Sequence, residues 1–150
     1  MSKVIVFGIF IIACVAIGVI SGVSNIPGEW YQSLNKPFFN PPSWIFAPVW
    51  TLLYAMIGAA LASTWYDANN GRRLIVFAVQ GFLNIVWSPA FFGLQNPMLG
   101  LVIIVPMLIF ILLFIAMSWR PNRWAALLFV PYALWVTFAT LLNLSIVVLN

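Results

Sequence analysis

Apolar residues run along this chain in five long blocks separated by short polar interruptions. The blocks cover residues 4–23, 44–66, 74–93, 98–119 and 124–149. A helix needs about 20 apolar residues, rising about 1.5 Å each, to cross the hydrocarbon of a bilayer. Each block therefore predicts a membrane-spanning helix. All eight charged residues fall outside the blocks, as they must when a charge at the bilayer centre costs at least about 2.5 kcal/mol.

The interruptions differ in character. Residues 25–43 form the longest and contain four prolines, Pro27, Pro37, Pro41 and Pro42. Proline removes backbone donors and breaks helix, so this stretch predicts a structured, non-helical loop. The others are short: Asp67 to Arg73 with an Asn69-Asn70-Gly71 turn, Leu94 to Pro97, and Arg120 to Arg123. Short turns predict antiparallel neighbours and hence one five-helix bundle spanning residues 1–150. The block behind Lys3 is long for a signal peptide and lacks a clean cleavage site, so it predicts a retained helix.

Composition removes the soluble alternative. Of 150 residues, 65% are hydrophobic and 5% charged, whereas soluble domains carry about 25% charged residues. The net charge of +4 comes from cations scattered between the blocks, which predicts topology signals and not a nucleic-acid surface. Lys3, Arg72, Arg73, Arg120 and Arg123 share one end, and Lys36 stands alone against Glu29 at the other. The positive-inside rule then places the N-terminus on the cytoplasmic side and the C-terminus opposite. One cysteine allows no internal disulfide, and no histidine is present. No metal cluster, carboxylate pair or nucleophile triad appears, so no conventional catalytic site and no required cofactor is expected. Glu29 and Asp67 read as solvated loop residues.

Candidate chemistry lies on helix faces. Gln80, Asn84 and Ser88 recur every four residues beside Trp87, and a polar stripe in lipid should look into the bundle, as interhelical glue or as pocket lining. Pro89 should bend the helix just beyond. Ala47, Trp50, Tyr54 and Gly58 share one face, and Tyr132, Trp135, Ala139 and Asn143 another. Large rings beside small residues leave concave space, and Trp N–H and Tyr O–H add donors, which suits a flat apolar ligand. Trp30, Tyr31, Trp44, Trp65, Tyr66, Trp119 and Trp124 sit near block ends and read as interfacial belts. Cys14, Gly18 and Gly22 form a small-residue stripe for close helix approach, inside the bundle or in a dimer.

The run from Trp30 to Trp44, continuing through Pro48-Val49-Trp50 to Tyr54, resembles the first-loop signature of the TspO/MBR family, also called the translocator protein or peripheral benzodiazepine receptor family. Leu83–Gly93 resembles that family's third helix, and Val130–Asn143 its fifth. The resemblance implies a five-helix bundle whose first loop lids a ligand cavity. It implies binding of porphyrins such as protoporphyrin IX and of isoquinoline- and benzodiazepine-type ligands, with lipid and sterol as further partners, and homodimers. It implies a sensory role in tetrapyrrole metabolism and stress responses, with light-dependent oxidative porphyrin breakdown or porphyrin and sterol transport as alternatives. The positions carried over are Trp50, Tyr54, Asn84, Trp87, Tyr132, Trp135 and Ala139, with Phe46 and Phe91 beside them; Trp50 and Trp135 are the photochemical candidates. The Tyr-then-Arg sterol motif of animal members is missing from Leu141–Val147, and Phe39 stands where the family often has Trp.

Overall fold

The computed structural model describes residues 2–150. Its elements are α1 (Lys3–Ser24), a short α2 (Glu29–Ser33), a 3-10 turn (Ser43–Ile45), α3 (Phe46–Trp65), α4 (Gly71–Ser88), a π turn (Pro89–Gly93), α5 (Pro97–Ser118) and α6 (Arg123–Leu149). The chain is an integral membrane protein: five of its helices are long and apolar enough to cross a bilayer, as the blocks predicted. α1, α5 and α6 match their blocks to within a residue or so at each end. α4 starts earlier than its block, because Arg72 and Arg73 can join a first turn that lies at the membrane surface. The proline-rich loop is not free of helix, since α2 fits between Pro27 and Pro37 where no proline intervenes. Beyond Ser88 the backbone widens into the π turn, and Leu94 N–H bonds the Pro89 carbonyl at 2.8 Å. In the α3–α4 turn it is Asn69, at φ 54°, that takes the left-handed conformation, while Gly71 opens α4. Asn tolerates that region through local polar contacts.

α1 lies chiefly on α3, α3 on α6, α6 on α5, and α5 on α4, while α4 touches α3 and α1 only lightly. Small residues set the first seam. A Cβ on Gly58 would stand 2.7 Å from the Ile11 Cα, so α1 and α3 approach backbone to backbone. The Gly18 position is covered by the Tyr54 ring, whereas Gly22 faces open space. The tight core lies between α3, α4, α5 and α6 around Phe114, Phe129, Ile111 and Met107, all essentially inaccessible. Phe114 and Phe129 meet at 4.2 Å between centroids.

At the cation-rich end Lys3 stacks over the Tyr66 ring at 5.4 Å. Asp67 is not a solvated loop carboxylate. It pairs with Arg73 at 2.8 Å and accepts from Asn122 Nδ2 at 2.8 Å, and the Arg73 side chain is only 5% exposed. Asn122 also donates to Ser63 Oγ at 2.9 Å and caps α6 by accepting from the Ala125 N–H at 3.0 Å. The α3–α4 and α5–α6 turns are thereby stapled together. Of the expected belt rings, Trp44, Trp65, Tyr66, Trp119 and Trp124 are exposed. Trp30 and Tyr31 are not: they turn inward onto the π turn, because α2 rotates them under the loop.

Candidate functional site

Two aromatic groups occupy the half of the bundle beneath the loop. The first joins α3 to α6. Phe46 meets Trp135 at 5.9 Å, Trp50 meets Trp135 at 6.5 Å, and Trp50 meets Tyr54 at 5.6 Å and Tyr132 at 6.4 Å. The rings of the two stripes thus meet, but Ala47 is exposed, Gly58 faces the Ile11 backbone of α1, Asn143 bonds Trp87, and Ala139 packs on the buried core. Trp50 and Trp135, however, stand edge to face, at 88°. Sandwiching a flat ligand between two rings requires about 7 Å between parallel faces. The slot expected between Trp50 and Trp135 is therefore filled by the rings themselves, because such pairs gain from edge-on contact when nothing separates them.

The second group lies directly under the loop. Trp87 stacks on Phe91 at 5.2 Å, and Trp30 and Tyr31 close over Phe91 and Phe92. Trp87 Nε1 donates to Asn143 Oδ1 at 3.2 Å, and Asn143 Nδ2 donates to the Pro97 carbonyl at 2.7 Å. Gly100 admits this cluster: a Cβ there would stand 2.8 Å from the Phe91 ring and 2.9 Å from Asn143 Oδ1. Trp87 and Phe91, placed with Trp50 and Trp135 by the resemblance, belong to this separate, lid-side group.

The loop is pinned above it. Asn35 N–H donates to Asn150 Oδ1, and Asn150 Nδ2 returns to the Asn35 carbonyl, both at 3.0 Å. Lys36 Nζ donates to the Gln32 and Leu34 carbonyls at 3.2 Å and lies 4.7 Å above the Tyr31 ring. Burial pushes the Tyr31 phenol above its usual range, so it stays neutral.

Polar groups thread the middle of the bundle. The Tyr54 hydroxyl donates to Asn84 Oδ1. Asn84 Nδ2 donates to the Tyr132 oxygen at 2.6 Å, and the Tyr132 hydroxyl donates to Gln80 Oε1 at 2.9 Å. The stripe of α4 is therefore both glue and lining, for Gln80, Asn84, Tyr54 and Tyr132 also border a cavity of about 80 Å³. The cavity lies where α4 only lightly touches α1 and α3, and Cys14 and Ile17 of α1 complete its wall. The hollow is thus displaced from the Trp50–Trp135 contact to the far side of Tyr54 and Tyr132. The sequence drew attention to the α4 stripe but gave no sign that α1 would contribute a wall.

One donor in the first group is left over. Trp135 Nε1 is buried and bonds nothing; with Ser118 Oγ it is one of two such side-chain atoms among the described residues. Buried donors without acceptors are rare enough in native proteins to mark a place where something else binds or is strained. A larger cleft, about 510 Å³, runs between Lys36–Phe38 and the last turns of α6. It faces the lipid side of Leu144, Val148 and Leu149 and holds none of the clustered rings, so it is a surface groove and not the aromatic site. No group of three or more possible metal-binding side chains occurs among the described residues.

A sequence profile of the TspO/MBR family matches residues 10–149. The chain is 42% identical to the tryptophan-rich protein TspO of Chlorobaculum tepidum, over 99% of this chain and 98% of that relative. It is 36% identical to the tryptophan-rich sensory protein of Cereibacter sphaeroides, over 94% of this chain and 89% of the relative. With the translocator protein of Ovis aries it shares 36% identity over 81% of this chain and 77% of the relative.

Proposed function

The chain belongs to the TspO/MBR family, and from that premise we propose that it is a membrane-embedded binding protein and sensor for flat apolar ligands of the tetrapyrrole class, held at the Trp50–Trp135 cluster. The observation that carries the reading is the orphaned Trp135 N–H inside a cluster of indole and phenol rings. A ring-shaped ligand with acceptor atoms offers both missing partners, a face for stacking and an acceptor for that donor. Drug-sized sites enclose about 300 Å³ or more, against about 80 Å³ here. Binding therefore requires the edge-on rings to part, and the loop, whose Phe39 meets Phe138 beside Trp135, is the element whose displacement would make room. The five cations on the membrane face that holds the N-terminus support a cytoplasmic side for that face under this reading.

Protoporphyrin IX quenching of tryptophan fluorescence tests the proposal in protein reconstituted into lipid nanodiscs. Saturable binding is expected in the native protein, with affinity reduced by about tenfold or more in Trp50→Ala/Trp135→Ala, corresponding to at least about 1.4 kcal/mol. Equal affinities in the two proteins would reject the site.

A further inference from the structure

The surface groove beside the loop has a chemistry of its own. Its floor is one face of the last turns of α6, with Leu144, Ser145, Val148 and Leu149, and its overhang is the loop segment from Lys36 to Phe38. The floor is apolar apart from Ser145, whose hydroxyl donates to the Leu141 carbonyl at 2.8 Å. The overhang is held in place. Paired bonds between Asn35 and Asn150 fasten it to the end of α6, and Phe38 stands edge-on to Phe39, which rests on Phe138. Phe38 is nevertheless 100% exposed, and Val148 75%. An open phenyl ring beside an apolar floor is favourable where hydrocarbon covers it and costly where water does.

The course of α6 sets the depth of the groove. Arg123 opens the helix at the cation-rich surface, and a crossing of the hydrocarbon takes about 20 to 25 residues. The crossing therefore ends within residues 144–149, and the groove straddles the boundary between acyl chains and headgroups. Lys36 lies at its headgroup end, because its neighbour Asn35 bonds Leu149 and Asn150.

Lys36 also brings a charge to that level. Its ammonium gives two of its three donors to the Gln32 and Leu34 carbonyls and covers the Tyr31 ring. Carbonyl oxygens and a ring face hold a cation without neutralising it. Glu29, the one acidic side chain on this side of the membrane, does not pair with it: the ion pair among the described residues is Arg73 with Asp67. One donor and an uncompensated positive charge are left, beside an apolar channel of about 510 Å³.

We propose that this groove seats one anionic phospholipid of the adjoining leaflet, with its phosphate on Lys36 Nζ and the upper part of one acyl chain between Phe38 and the α6 floor. A charge-assisted bond to phosphate uses the free donor, and the chain covers the exposed ring. A sterol supplies no charge for Lys36, and a free phosphate leaves Phe38 and the floor bare. The lipid bridges the loop to α6 from outside the bundle, so the proposal is independent of what the aromatic clusters bind.

Photoaffinity labelling in phosphatidylcholine nanodiscs tests it. Two probes carry the same diazirine near the head of one acyl chain, one on phosphatidylglycerol and one on phosphatidylcholine, and mass spectrometry locates the label. In the native protein the phosphatidylglycerol probe should label Phe38 and residues 144–149 about fivefold more than the phosphatidylcholine probe, the weight of one basic side chain near an anionic lipid. In Lys36→Gln that preference should vanish, while labelling beside Arg120 and Arg123 at the opposite face is unchanged. Unlabelled phosphatidylglycerol should displace the probe from the groove, and cholesterol or inorganic phosphate should not. Equal labelling of the groove by the two probes in the native protein overturns the proposal, as does a preference that persists in Lys36→Gln. Displacement by cholesterol or by phosphate as effective as that by phosphatidylglycerol overturns it too. Should Lys36→Gln fail to fold, Val148→Trp decides the matter: a ring at that lipid-facing position fills the groove, and an undiminished preference at the remaining groove residues overturns the proposal.

Discussion

Two polar networks cross this bundle, and they are built from similar side chains to opposite ends. At the cation-rich surface Asp67, Arg73, Asn122 and Ser63 form a closed circuit. Its strongest donor meets its only carboxylate, and its asparagine caps a helix as well. In mid-membrane Tyr54, Asn84, Tyr132 and Gln80 form an open chain that ends beside a cavity. The closed network ties two turns, and so holds the order of α3, α4, α5 and α6. The open one holds α3, α4 and α6 together and borders the cavity. The contrast separates polarity that fixes shape from polarity that is available to a ligand, and it can be tested by asking whether stability and binding respond to different mutations.

The largest stability effect should come from the closed circuit. Asp67→Ala leaves the Arg73 guanidinium buried without its partner, and breaking a buried pair from one side costs about 3–5 kcal/mol. Because Asp67 itself is 22% exposed, the loss should lie near the lower end. Thermal unfolding in detergent measures it, and ligand affinity of the folded fraction should be unchanged. Next comes Tyr132→Phe, which removes the hydroxyl between Asn84 and Gln80 and leaves a buried donor and acceptor unpaired, at about 1–3 kcal/mol. Here both unfolding and ligand affinity should move, since Tyr132 belongs to the network and to the site.

Trp135→Phe should sharpen the comparison further. Its N–H bonds nothing, so its removal should cost less than about 1 kcal/mol of stability, while porphyrin affinity drops by up to about tenfold. A large loss of stability with unchanged affinity would assign Trp135 to packing alone. The smallest effect is expected for Ser63→Ala. Asn122 keeps its bond to Asp67 and its cap on α6, so the change should stay below about 1 kcal/mol, with no effect on ligand titrations.

Much of the fold could be read from the sequence because the bilayer enforces it. Helix number and approximate limits follow from apolar length and from the exclusion of charge, and the exposed Trp44 and Trp124 follow from the interface. The α2 turn escaped notice because five residues between prolines carry too little pattern to announce a helix. Asp67 was misread for a related reason. A lone acid in a polar turn is usually solvated, and only the return of the α5–α6 turn with Asn122 encloses it. Within the candidate site, the faces of α3, α4 and α6 were legible from spacing. The separation of Trp87 and Phe91 from Trp50 and Trp135 was not, since it depends on how the π turn directs Phe91 beneath Trp30 and Tyr31.

What the sequence alone determined was the solvent and the elements. Five oily runs with every charge outside them can satisfy their backbone in lipid only as helices, and the TspO/MBR motifs fall on the first loop and on those helices in order. What tertiary structure decided was which rings touch, which donors remain unspent and where space is left. Those depend on close approaches such as Gly58 against Ile11 and on the light contact of α4 with α1. Side-chain spacing gives the face a residue occupies, but a cavity is a property of the gap between faces.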